Sequence, residues 1–160
     1  MKRTVKVVKH DKHADIVIND NGDMFDLIAC EDCKVTPGKP FLISLGLSME
    51  LPKGLYARLY DRSSTPKKFK VSLGHSVGII DNSYNSDKDI WKYSAVTLKT
   101  GHGSFSTIKA GDRICQFEIC LSQRATVWQK LKWLFTSGYK FKYVDHLDNE
   151  ERGGFGSTNN

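Results

Sequence analysis

An all-β architecture, either a sandwich or a jelly-roll-like barrel, follows from three observations. Short runs rich in β-branched and aromatic residues recur along the whole chain. Glycine- and proline-bearing turns separate them, and helical periodicity is confined to one segment. The length of 160 residues, without internal repeat or low-complexity linker, fits a single domain over 1–160 with a real core.

The first strands are expected over Thr4 to Val8 and Asp15 to Ile18, both β-branched. Asp26-Leu27-Ile28-Ala29 follows a turn at Asn21-Gly22. After the turn Thr36-Pro37-Gly38, the apolar run from Pro40 to Met49 reads as one strand. Beyond Pro52-Lys53-Gly54, Leu55, Ala57 and Leu59 alternate with Tyr56, Arg58 and Tyr60, the pattern of a half-buried strand. Lys70 to Asp81, Trp91 to Leu98 and Arg113 to Leu121 are further strands. In the last, Cys115, Phe117, Ile119 and Leu121 share an apolar face, with Gln116 and Glu118 on the other. Tyr139, Phe141 and Tyr143 alternate with Lys140 and Lys142 in a final strand. Between these two, Val127, Trp128, Leu131, Leu134 and Phe135 fall on one helical face. They predict a short helix near 124–136 inside an insertion over 121–140, packed on its own domain.

Hydrophobic residues make up 39% and charged residues 26%, which argues against disorder, and the net charge of +6 favours anionic partners. The charge is spread along the chain without a basic stripe of interleaved aromatics, so a specific nucleic-acid binder is not expected. No apolar run reaches the ~18 residues of a membrane span, and the N-terminus carries no apolar signal core, so the expected location is the cytoplasm. Cys115 and Cys120 lie on opposite faces of one strand and cannot readily join Cys30 and Cys33 around one zinc ion. Structural thiols in a reducing compartment are the better reading.

Four polar stretches look chemical. Asp61-Arg62-Ser63-Ser64-Thr65-Pro66 can hold phosphate oxygens through Arg62, Ser63 and Ser64, although such residues also make ordinary turns. In Gly78-Ile79-Ile80-Asp81-Asn82-Ser83-Tyr84, a carboxylate at a strand end can orient or deprotonate a water, with Tyr84 close enough to stack on a sugar. A plain hairpin turn is the alternative. Gln116, in Gly111-Asp112-Arg113-Ile114-Cys115-Gln116, could donate to a phosphate oxygen or simply face solvent. At the C-terminus, Arg152 offers a donor fork, Phe155 a face for a nucleobase, and Ser157 and Thr158 further donors. Gly153, Gly154 and Gly156 permit close backbone approach, and a loose glycine-serine end is the other reading of this mobile 151–160 tail.

With Phe25-Asp26-Leu27-Ile28-Ala29 ahead of them, these stretches resemble, in order, the five motifs of the trimeric dUTPase family, the dUTP diphosphatases. The resemblance runs from about Gly22 to Thr158 and implies a distorted jelly-roll or β-barrel of that type. It implies hydrolysis of dUTP to dUMP and pyrophosphate, which limits uracil in DNA and supplies dUMP for dTMP synthesis. Asp81 would hold the water that attacks the α-phosphorus, and Tyr84 would pack on the deoxyribose and exclude a 2′-hydroxyl. Arg62, Ser63, Ser64 and Gln116 would bind the phosphate chain, which Mg²⁺ bridges, with Asp26 near the metal through water. The hairpin with Ser76 and Gly78 would read uracil. Phe155 would stack on the base while Arg152, Gly154, Gly156, Ser157 and Thr158 close over the phosphates. In the family each site is shared among three subunits.

The chain departs from the common pattern at Met24, His75-Ser76, Ser83 and Ser86-Asp87, and its lengthened loops are similar to those of phage or prophage members. A dCTP deaminase shares the fold and the Arg-Ser-Ser turn, but its glutamate would be expected in the strand Ser94 to Lys99, which has none. A regulatory protein partner for the insertion, carrying Trp128 and Trp133, would be an addition to catalysis.

Overall fold

The computed structural model describes residues 1–151. In chain order, β1 (Arg3–Lys9), β2 (Ile16–Ile18), β3 (Phe25–Ile28), β4 (Cys33–Val35), β5 (Phe41–Ser44), β6 (Leu47–Glu50) and β7 (Leu55–Asp61) lead to α1 (Thr65–Phe69). Then come β8 (Val71–Leu73), β9 (Gly78–Ile80), β10 (Lys92–Thr97), β11 (Ser106–Ile108), β12 (Arg113–Leu121), α2 (Val127–Leu134) and β13 (Tyr139–Tyr143). Among the described residues the strands fall into four hydrogen-bonded groups: β13-β1-β6, β5-β10-β8, β11-β4 and β2-β3-β12-β7-β9. The chain is thus mostly strand, of the jelly-roll type expected. No helix among the described residues is long and apolar enough to cross a membrane.

The alternating strand works as read. Leu55, Ala57 and Leu59 of β7 are buried, while Arg58 faces solvent. In β12, Cys115 and Phe117 are fully buried, and burial weakens toward Leu121. Phe117 anchors the core. Its ring lies 5.2 Å from that of Trp91 and 5.3 Å from that of Phe25, the former edge-on. Phe141 meets Phe25 edge-on at 4.9 Å, so the late strand β13 closes the same cluster.

Two expected long strands are each two short ones. The run Pro40 to Met49 breaks between β5 and β6 at Gly46, whose φ is +64°. A Cβ there would come within 2.6 Å of Cys30 Sγ and 2.9 Å of Ala14 Cβ, so both conformation and space demand glycine. Likewise Lys70 to Asp81 breaks at the turn carrying Ser76, which holds φ +63°. Pro66 in the first turn and Lys70 in the left-handed conformation at the C-cap bound α1, hidden in what reads as loop.

The inserted helix forms, but its expected packing does not. Thr126 caps α2 and completes a capping box with Gln129. No residue of α2 is buried; Trp128 is 75% and Phe135 72% exposed. The helix is held at its ends instead. Ser122 N–H donates to Gly54 O at 2.9 Å, and the Met1 ammonium donates to Phe135 O at 3.2 Å and Ser137 Oγ at 3.0 Å. The insertion works as a crossover. It returns the chain so that β13 pairs with β1 in parallel, from Arg3↔Tyr139 to Val7↔Tyr143.

Candidate active site

The antiparallel register of β12 builds the first half of the site. Gln116 pairs with Asp26 on one side and Tyr60 on the other, so the three side chains leave the same face. Asp26 is 8% exposed, and its Oδ2 meets Arg62 Nε at 3.0 Å and Arg113 Nη1 at 3.8 Å. Arg62 Nη1 also donates to Arg113 O at 3.4 Å. Gln116 Nε2 donates to Asp61 O at 3.0 Å, which uses one of its two amide hydrogens. Asp26, Arg62 and Gln116 therefore stand together, with Ser63 exposed and Ser64 half-buried on the turn that follows.

That turn is fastened from beneath. The Asp61 carboxylate accepts from Ser72 Oγ at 2.7 Å, Leu73 N–H at 3.0 Å and the Tyr93 hydroxyl. Burial and the adjacent Asp61 charge push the Tyr93 phenol far above its ordinary range, so it stays a donor. Thr65 Oγ1 donates to Ile114 O at 2.7 Å, both in buried surroundings. Asp61 and Arg113 were not singled out from sequence. Their only signal was adjacency, Asp61 directly before Arg62 and Arg113 at the start of the strand that carries Gln116.

The second half lies on β9. The hairpin from β8 turns through Ser76, whose N–H donates to Leu73 O at 3.1 Å. Gly78 pairs with Leu59, and a Cβ on it would lie 3.1 Å from Leu59 Cβ. Ile80 pairs with Ala57, and Asp81 follows as an exposed residue beyond the strand. Tyr84 N–H donates to Asp81 O at 3.0 Å, closing the turn. The Tyr84 ring packs half-buried on the core and its hydroxyl donates to Ile90 O at 3.1 Å. Burial, then the charges of Asp89 and Glu151, push that phenol up, which keeps it neutral. Asp81 opens on a cavity of about 820 Å³ bordered by Tyr56, Arg58, Arg124, Gln129 and Lys130.

The two halves are apart within one chain. Asp81 continues from Ile80 toward Tyr56, whereas Gln116 and Asp26 sit level with Tyr60. Four residues along the strands at ~3.3 Å each, and three strand spacings of ~4.8 Å across, put Asp81 about 19 Å from Asp26. Gly78 lies at an intermediate level, paired with Leu59, and Ser76 precedes it in the turn from β8.

Arg152, Gly154, Phe155, Gly156, Ser157 and Thr158 lie outside the described residues. The chain leading to them is fixed beside the Tyr84 loop. Leu147 N–H donates to Asp87 Oδ1 at 2.6 Å, His146 Nδ1 meets Asp87 Oδ2 at 2.9 Å, and Asn149 Nδ2 donates to Asn85 O at 3.1 Å. The Asp87 of Ser86-Asp87 thus replaces the usual motif ending with an anchor for the departing chain.

Among the described residues no cluster of three or more His, Cys, Asp or Glu could cage a metal. The thiols of Cys30 and Cys33 are pushed up by burial, to about 11 each, which keeps them protonated at neutral pH. Asp26 suits a lesser role. It is a buried carboxylate beside the Arg62 turn, placed to meet the water shell of a hydrated Mg²⁺ on a phosphate chain.

The dUTPase family model matches residues 20–132. The SPbeta prophage-derived deoxyuridine 5′-triphosphate nucleotidohydrolase of Bacillus subtilis is 40% identical over 139 residues, 87% of this chain and 85% of that protein. A crystal structure of dUTPase from Streptococcus mutans matches with a TM-score of 0.65 at 21% identity, covering 78% of this chain and 99% of that one. So does a mutant dUTPase from phage phi11 of S. aureus, solved for the coordination of a structural Mg(II) ion, with a TM-score of 0.65 at 17% identity over 78% and 95% of the two chains. At those identities the structural likeness speaks for the fold.

Proposed function

The chain belongs to the dUTPase family, and on that premise we propose that it hydrolyses dUTP to dUMP and pyrophosphate in sites assembled between the copies of a homotrimer. One observation carries the reading: Asp26, Arg62 and Gln116 converge at one end of the five-stranded sheet, while Asp81 is presented at the other. With uracil against the backbone of Ser76 and Gly78, and the α-phosphate at Asp81, the triphosphate points away from the chain's own Arg62. A second copy must supply the phosphate-binding half.

In this reading Asp81 orients a water in line with the α-phosphorus and takes its proton as the new P–O bond forms. The bond from the α-phosphorus to the bridging oxygen breaks, and pyrophosphate leaves with the electron pair. Arg62, Ser63, Ser64 and Gln116 hold the phosphate oxygens, and Arg113 supports Arg62 by sharing Asp26. The neutral Tyr84 ring, fixed through Ile90 O, lies against the deoxyribose and leaves no room for a 2′-hydroxyl. Arg152, Phe155, Ser157 and Thr158, with Gly154 and Gly156, close over base and phosphates. Asp26 would stand beside the water shell of a Mg²⁺ on the phosphate chain, which when bound would supply charge neutralisation there.

Pyrophosphate release from dUTP, dCTP, dTTP and UTP tests the assignment. Turnover of dUTP should exceed that of the others by at least about 100-fold, because the site must pair buried polar groups with one base and exclude one hydroxyl. Equal turnover of all four, or none with dUTP, overturns it.

The exposed apolar face of α2 favours a second role beside catalysis. Val127, Trp128, Leu134 and Phe135 are each at least 67% exposed, a patch suited to a regulatory protein partner. Trp128→Ser combined with Phe135→Ser should leave dUTP turnover within about twofold and the trimer intact by sedimentation, because both side chains are exposed and neither lines the Asp81 cavity. Loss of either assigns the face to the trimer itself.

A further inference from the structure

We infer that Asn82 is the positioning residue for Asp81, tying the strand end that carries the carboxylate to the turn between β6 and β7. The inference rests on the reading of Asp81 as the residue that holds the attacking water. The Asn82 amide nitrogen donates to Leu55 O at 2.8 Å, Pro52 O at 3.1 Å and Leu51 O at 3.2 Å. Two hydrogens are thereby shared among three carbonyls that converge from one turn.

The need for such a clamp comes from the shortness of β9. Its ladder to β7 runs only from Gly78↔Leu59 to Ile80↔Ala57, and Asp81 lies one residue past the end. A backbone just beyond a three-residue strand opens easily unless something further holds it. Upstream the ladder fixes Asp81. Downstream it is fixed by the turn bond from Tyr84 N–H and by the side chain of Asn82. An error of about 1 Å in a reacting group can cost about 100-fold in rate, so the clamp bears directly on catalysis.

The turn that receives Asn82 is itself immobilised. Leu55 N–H donates to Pro52 O at 3.1 Å, and Ser122 N–H donates to Gly54 O at 2.9 Å. Gly54 holds φ +83°, and a Cβ there would fall 2.7 Å from Gln129 Oε1. The Gln129 side chain is locked in turn, because its Oε1 accepts from Thr126 N–H at 2.8 Å in the capping box. A continuous line of contacts thus runs from the first turn of α2 through Gly54 and the Pro52 carbonyl to Asn82 and Asp81. The residue type is specific. Aspartate would turn lone pairs toward the three carbonyls, and serine is too short to reach them.

The test uses full-length Asn82→Ala and Asn82→Asp beside wild type and Asp81→Asn, with kcat and KM for dUTP, affinity for a non-hydrolysable dUTP analogue, and thermal unfolding. Both Asn82 variants should lose about 10- to 100-fold in kcat, with KM and analogue affinity within about threefold, at temperatures where they are fully folded. A purely structural residue would lower the melting temperature and leave kcat at low temperature unchanged, which overturns the inference. A raised KM at normal kcat overturns it equally. Should Asn82→Ala fail to fold, Asn82→Ser, which keeps a turn-forming side chain, gives the same reading. If Asp81→Asn is inactive while the Asn82 variants match wild type, only the positioning role falls. If wild type fails to hydrolyse dUTP, or Asp81→Asn retains activity, the reading of Asp81 falls first and this inference with it.

Discussion

Asp81→Asn should lower kcat for dUTP by about 10³-fold while leaving KM nearly unchanged, the signature of a lost proton acceptor in the transition state. The substitution keeps the size and shape of the side chain and removes its charge. Asp81 is exposed beyond the end of β9, so no buried charge is uncovered and no packing is lost. The backbone of the turn keeps the bond from Tyr84 N–H to the residue-81 carbonyl, and Asn82 keeps its three acceptors. An amide oxygen can still receive a hydrogen bond from water but cannot take its proton at neutral pH. Nucleotide binding, measured with a non-hydrolysable analogue, should therefore persist. Residual turnover within tenfold of wild type would move the base elsewhere. A loss of binding equal to the loss of rate would recast Asp81 as a binding group.

The strands that the sequence makes plain are those whose two faces differ. In β7 and β12 the contrast between Leu55 or Phe117 and Arg58 or Gln116 sets the period directly. Where both faces are apolar, the period vanishes, and a break such as that at Gly46 is invisible because hydrophobicity is the same on either side. Ser76 marks the other such break and is not a residue that announces a left-handed turn. The three-residue strands β4 and β11 are too short to carry any period. For α2 the periodicity correctly gives a helix and its apolar face, yet a face says nothing of what covers it, and among the described residues nothing buries it. The site divides in the same way. Arg62, Asp81 and Gln116 can be read by residue type and order. That they occupy opposite ends of one sheet depends on the pairing Gln116↔Tyr60 and Ile80↔Ala57, which only the fold supplies. Asp61 and Asn82 act on carbonyls and hydroxyls of distant turns, so no local pattern distinguishes them.

That separation leads to a sharper outcome than any single substitution. Arg62→Gln removes the guanidinium from the phosphate-binding half while leaving a donor for Asp26, which also keeps Arg113 at 3.8 Å. Alone it should be nearly inactive, as should Asp81→Asn. Mixed in equal amounts and reassembled, the two should recover about a quarter of wild-type turnover if, as proposed, each site takes Asp81 from one subunit and Arg62 from another in a closed symmetric trimer. A site is intact only when the first subunit carries Arg62→Gln and the second carries Asp81→Asn, each chosen with a chance of about one half under random association. Activity of the mixture, followed by pyrophosphate release and set against the two variants kept apart, checks this directly. If one chain held a whole site, every site in every mixed trimer would carry one of the two lesions, and no recovery could occur. The distance of about 19 Å between Asp81 and Asp26 along the strand register forbids that arrangement unless the sheet rearranges. Recovery near a quarter would thus measure, in activity, what the pairing of β7 with β9 and β12 dictates in geometry.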